Sequence, residues 1–92
     1  MAKRYAIITR QRQSEAMRMA LGLLLLGDEA EVFLADSALG ADDATEAQYK
    51  NCLEMDVPVY SNHPDAPDTA KLPAEEFTTR LTKFDRLIPL LP

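Results

Sequence analysis

Across 92 residues the sequence has no tryptophan, one cysteine, one histidine and three glycines, and each scarcity removes a class of chemistry. A lone Cys52 cannot form an internal disulfide, which agrees with a reducing compartment. A lone His63, near only the oxygen donors Asp65 and Asp68 in no ligand spacing, offers no zinc-type set, so no metal is expected. The glycines form neither GxGxxG nor GxxxxGK[ST], which leaves nucleotide binding without its phosphate loop, and no cofactor is expected. The longest apolar run, the four leucines at 23–26, falls far short of the roughly 20 residues that cross a bilayer. A secretory core is missing as well: the basic start at 1–5 leads to Ile7 and Ile8, and Thr9, Arg10, Gln11 and Arg12 follow at once. The expectation is a cytoplasmic protein. Basic charge is also short, with 10 basic against 15 acidic residues and a net charge of -5, which argues against nucleic acid or an anionic membrane as partner.

What is present reads as one globular domain spanning 1–92, with an apolar fraction of 47% and a charged fraction of 27%. Residues 4–9 are short, apolar and β-branched without strict alternation, as in a strand covered on both faces. Polar residues 10–13 lead to Ser14, a good N-cap, then to a run of strong helix formers that Gly27 stops. Another apolar strand is expected over 31–36, and the helix between the two makes a right-handed crossover. Asp43 with Glu46 gives a capping-box signal for a second helix reaching about Met55. Residues 56–61 read as a third strand with Pro58 near its start, followed by a turn-rich loop over 62–71. Pro73, Glu75 and Glu76 open a third helix whose stripe is Phe77, Leu81 and Phe84, and residues 86–90 form a last strand that Pro89 marks as an edge. Four strands separated by three helices predict an α/β fold: a three-layer, flavodoxin-like parallel sheet of order 2-1-3-4 with helices on both faces.

Four consecutive leucines cover more than one full turn, so at least one faces water in an isolated subunit. The expectation is a homo-oligomer, to which the apolar ending Leu90, Leu91 and Pro92 adds surface. Ligands of open parallel sheets sit beyond the carboxyl ends of the strands. That places Arg10, Arg12 and Ser14 after the first strand, Asp36 after the second, and Ser61, Asn62 and His63 after the third. Arg10 and Arg12 before a helix N-terminus favour a small anionic ligand, against the plainer reading of solvated loop arginines. His63 is the one imidazole and a weak candidate for acid–base work, although a single loop histidine is more often a surface residue. Cys52 is a weak candidate nucleophile. Its place near a helix C-terminus, beside Glu54 and Asp56, disfavours a thiolate and suits a structural thiol.

Several segments together resemble the DsrE/DsrF-like (YchN-like) proteins, a family of small sulfur-relay subunits: the strand Tyr5, Ala6, Ile7, Ile8; the Ala/Leu-rich first helix; Val32, Phe33, Leu34; the stretch 53–60; and the closing 84–88. The resemblance implies a trimer or hexamer connected with sulfur metabolism, with a sulfur-carrier protein as a further partner. It also implies a cysteine in the loop after the third strand, where this sequence has Ser61, Asn62 and His63, so persulfide chemistry does not carry over. The expected function is a non-catalytic ligand- or partner-binding subunit. The alternatives are a sulfurtransferase using Cys52 and a small enzyme using His63.

Overall fold

A computed structural model of the chain describes residues 2–68 and 70–90. Leu91 and Pro92 of the expected apolar ending lie outside the described residues, as do Met1 and Thr69. The elements in chain order are β1 (Arg4–Thr9), α1 (Gln13–Leu25), β2 (Glu29–Leu34), α2 (Asp43–Glu54), β3 (Val59–Ser61), α3 (Ala74–Leu81) and β4 (Arg86–Leu90). All strand pairs are parallel, and α1 and α2 pack on one face of the sheet with α3 on the other. The fold is α/β and three-layered, as the sequence pattern requires.

The strand order is β3-β2-β1-β4, which corrects the expected 2-1-3-4. Right-handed crossovers stepping in one direction from β1 to β2 to β3 leave α1 and α2 side by side. The apolar surplus of α1 favours this arrangement. Ala16, Met17 and Ala20 bury against Ile7, Val32 and Leu34, while Leu21, Leu23 and Leu24 pack around the same core as Tyr49 and Cys52 of α2. The stripe on α2 is thin, with Thr45 and Cys52 as its buried residues, so this helix depends on its neighbour. Of the four leucines, two therefore join the core and two, Leu25 and Leu26, face solvent.

The return from β3 to β4 crosses β2 and β1, which puts α3 on the opposite face. Phe33 of β2 anchors it. The Phe33 ring meets Phe77 at 5.2 Å and Phe84 at 5.6 Å, both edge-on, and Tyr60 at 5.4 Å. Aromatic pairs of this kind contribute about 0.5–1.5 kcal/mol each beyond area burial. An ionic clamp lies beside them: Arg80 of α3 donates to both carboxylate oxygens of Glu31, at 2.8 and 3.1 Å, with its guanidinium 4.9 Å from the Tyr60 ring centre. Arg4 completes the arrangement, 5.1 Å from the Phe84 ring centre and 4.0 Å from Glu31.

The helix ends follow backbone needs more than the caps read from sequence. α1 begins at Gln13 with Arg12 as N-cap and no side-chain cap, so Ser14 lies inside the first turn and does not cap the helix. At its other end Gly27 adopts φ +91°, Gly27 N–H donates to the Leu24 carbonyl and Asp28 N–H to that of Leu23. This is a Schellman ending, which glycine suits. α2 is capped by Asp42 instead of Asp43: the Asp42 carboxylate accepts from Thr45 N–H at 3.1 Å, and hydrogen bonding from the Thr45 side chain, then from its N–H, holds the Asp42 pKa below the usual range. The same Schellman pattern closes α2, with Val57 N–H donating to the Cys52 carbonyl and Asp56 in the left-handed region at φ +58°. The third strand accordingly starts at Val59, not at Asp56.

β4 is an edge strand, as Pro89 implied. Glu29 and Ala35 donate their N–H groups to the carbonyls of Lys3 and Thr9, so the odd-numbered residues of β1 bond toward β2 and the even-numbered ones toward β4. With Ile8 opposite Pro89, that parity turns the main-chain groups of Leu87 and Pro89 outward. Pro89 thus removes a donor from the open edge, a common device against strand pairing. The β3 edge is covered differently: Ser61 bridges Lys71, with Ser61 N–H donating to the Ala70 carbonyl and Leu72 N–H to that of Ser61.

Phe33→Ala removes the ring shared by three aromatic contacts, and denaturant unfolding should show a loss of about 3–5 kcal/mol. Asp56→Gly relieves a left-handed non-glycine residue and should raise stability by about 0.5–1 kcal/mol in the same assay.

Candidate functional site

Strand order fixes where the chain reverses direction across the sheet. With β1 central, that point falls between β1 and β4, so the loop after β1 borders it while the loops after β2 and β3 lie to one side. Thr9 ties the two flanks together: its hydroxyl donates to the Leu90 carbonyl at 3.3 Å and accepts from Arg12 N–H at 3.1 Å.

Side chains draw the other loops into one rim. The Arg10 guanidinium donates to the Asp36 carboxylate at 2.9 Å. Asp36 sits in the left-handed region at φ +52°, where aspartate is among the few tolerated residues, and its N–H donates to Asn62 Oδ1 at 2.7 Å. One step deeper, Ser61 Oγ donates to the Ser37 carbonyl at 2.6 Å and accepts from His63 N–H at 3.1 Å. Ser37 Oγ is a buried side-chain atom with no hydrogen-bond partner among the described residues. A buried hydroxyl left in that state costs about 1–3 kcal/mol.

Five of the predicted residues therefore lie in two adjoining sets of bonds, Arg10 with Asp36 and Asn62, and Ser61 with the backbone N–H of His63. The structure sets the other two apart. Arg12 pairs with Glu15 along α1, and Ser14 lies in the first turn of the helix. His63 has a defined tautomer: Nδ1 accepts from Asp65 N–H at 3.1 Å, so the neutral ring carries its proton on Nε2 and presents a donor.

Sequence reasoning missed Gln13. This buried glutamine donates through Nε2 to the carbonyls of Arg10 and Ala38, each at 3.0 Å, and accepts from Gly40 N–H at 2.8 Å. It fixes the start of α1 to the loop after β2. Little local marks it, because only the Arg10 carbonyl is near in sequence and the other two partners lie 25 and 27 residues away.

Cys52 lies elsewhere. α2 runs antiparallel to the strands, so a residue in its last turn sits toward their amino ends, far from the rim. The side chain is fully buried among Ile7, Val32, Val57 and Val59, and burial pushes its pKa up to about 11. No thiolate is available there at neutral pH.

Grooves run along α3, a volume of about 380 Å³ lined in part by Glu75, Thr79, Arg80 and Lys83, and at the amino edge, about 230 Å³ beside Arg4, Glu29, Asp56 and Pro58. Neither borders a predicted site residue. No group of three or more histidine, cysteine or acidic residues placed to hold a metal occurs among the described residues, and no helix there is long and apolar enough to cross a membrane. Comparison with protein-family models, curated proteins and solved structures finds no match. The chain is thus defined by its fold and by this polar rim: a parallel α/β domain whose carboxyl edge carries Arg10 and His63, with Arg12 paired to Glu15 beside them.

Cys52 should react with a disulfide reagent only as the chain unfolds. Its folded pKa lies above the unfolded value of 9.0, so its contribution is intact below that pH and is lost as pH rises toward about 11. Stability measured across that alkaline window should fall less steeply in Cys52→Ala than in the native chain.

Proposed function

We propose that this chain is a small DsrE-like oligomeric subunit that binds an anionic ligand or a sulfur-carrier protein at its carboxyl rim and performs no covalent chemistry there. The observation that supports this best is the rim itself. It carries the exposed Arg10 in the loop after β1 and the Nε2 donor of His63 in the loop after β3, and the one cysteine lies outside these loops. A loop-borne guanidinium with neighbouring donors is a recognised way to hold a carboxylate, sulfate or similar group. An incoming anion has to displace Asp36 from Arg10, which predicts modest, salt-sensitive affinity.

The connection with sulfur metabolism rests on the resemblance in 5–8, 32–34 and 53–60. A cytoplasmic setting suits it. The burial of Cys52 speaks against the alternative in which that residue carries a persulfide. Against the other alternative, an enzyme using His63, the ring's Nδ1 is taken up by the Asp65 N–H, and no hydrogen bond from a hydroxyl or thiol to the ring is formed among the described residues.

Calorimetric titration with thiosulfate and, separately, sulfate tests the reading. Arg10→Ala should weaken binding about tenfold, as expected for loss of a charge-assisted contact, while Cys52→Ala should leave it unchanged. A preference for thiosulfate supports the sulfur connection. A stable adduct of one sulfur atom on Cys52 after treatment with a persulfide donor, in protein that remains folded, would overturn the non-covalent reading.

A further inference from the structure

The solvent side of α1 is apolar where a solvated helix is ordinarily polar. Leu25 is 81% exposed, Leu26 79% and Met19 38%. At about 100° per residue, Gly22 stands at the centre of this face, with Arg18 and Leu25 about 40–60° to one side and Met19 and Leu26 about as far to the other. A Cβ added at Gly22 would meet no atom within 4 Å. The backbone is therefore bare in the middle of the strip, although glycine is among the poorest residues for a helix interior. Nothing inside the subunit requires it. A second helix crossing here would gain a close approach that any side chain would forbid.

Charge selects the occupant and its direction. α1 carries no basic residue in its last turn, so the negative end of its dipole is uncompensated, and Asp28 and Glu29 follow directly. At the other end of the strip Arg18 is exposed; within its own subunit its charge acts on Glu15, which is already hydrogen-bonded by Arg12. A copy of the same helix running antiparallel, with the two-fold axis at Gly22, adds a second cation to a helix end at which Glu29 pairs with Arg4 at 3.5 Å and Asp28 accepts from the Lys3 N–H. Arg18 of each copy then reaches the acidic helix end of the other, and Met19 of each packs on Leu26 of the other. The same patch serves both copies, as a two-fold interface demands.

Other exposed surfaces fit a second copy less well. The β4 edge is blunted by Pro89. Leu53 and Met55 alternate with Glu54 and Asp56, so a two-fold contact there would set like charges together.

We infer that the outer face of α1 is a two-fold interface between copies of this chain, centred on Gly22 and oriented by Arg18. The inference rests on the oligomeric reading above and specifies its contact, which belongs in a dimer or in a hexamer built from dimers and is absent from a simple ring of three.

Cysteine cross-linking tests the geometry, because Cys52 is buried and silent. Under mild oxidation Gly22→Cys, lying on the axis, should form a covalent dimer at least about tenfold faster than a Glu46→Cys control on exposed α2, the excess expected when two thiols are held together. Gly22→Glu, which the open space at Gly22 should accommodate without loss of fold, should shift the native species to monomer in sedimentation velocity, with an unchanged circular dichroism spectrum. Arg18→Asp should weaken assembly, and adding Asp28→Arg should restore it. If the native chain assembles yet Gly22→Cys reacts no faster than the control and Gly22→Glu still assembles, this interface is wrong while self-association stands. A native chain that stays monomeric at high concentration overturns both.

Discussion

Crossing a four-stranded sheet from one edge to the other with a single short helix is the demand that shapes this molecule. α3 has eight residues and must secure the face that α1 and α2 leave bare. Phe33 meets that demand by projecting from β2, near the middle of the sheet, where Phe77, Phe84 and Tyr60 can all reach it. The Arg80 and Glu31 pair fixes the direction in which the helix lies. Glu31 would be costly in its half-buried position without that guanidinium, so the pair acts more to specify one docking geometry than to add stability.

That crossing also decides the character of the carboxyl edge. Because β3 is carried to the far side of β2, the loop after it does not face the reversal point, and the rim is assembled by long side chains instead of adjoining helix starts. Arg10 reaches Asp36, Asn62 reaches back to Asp36, and Gln13 ties the start of α1 to the loop at 38–40. In the function proposed above, recognition at such a rim proceeds by exchange, an incoming anion taking the guanidinium from a resident carboxylate. The one thiol is not part of this rim: it lies in the core between α2 and the sheet, where burial raises its pKa.

Exposed apolar surface divides into two kinds. Leu23 and Leu24 belong to the core shared by α1 and α2, so part of the leucine surplus is absorbed within the subunit. Leu25 and Leu26 are not, and with Met19 and Gly22 they form a continuous strip bounded by an arginine at one end and acids at the other. Both sheet edges are guarded, by Pro89 and by the stretch at 70–72.

Local pattern was enough to reveal the α/β class, the parallel strands and the edge position of β4, because strand periodicity, helix-forming runs and the missing donor of proline act within a few residues. Gly27 ends α1 for the same reason. Caps were harder: Asp42 and Asp43 are equally suitable by type, and only the path of the preceding loop chooses between them. Strand order depended on where α1 could spend its second apolar flank, a matter of helix packing on helix that a linear pattern leaves degenerate. The meeting of Arg10, Asp36, Ser61, Asn62 and His63 was legible as loops at one end of a sheet. The bonds joining them, and the buried place of Gln13, came from contacts between residues far apart in the chain, and such contacts exist only once the layers have packed.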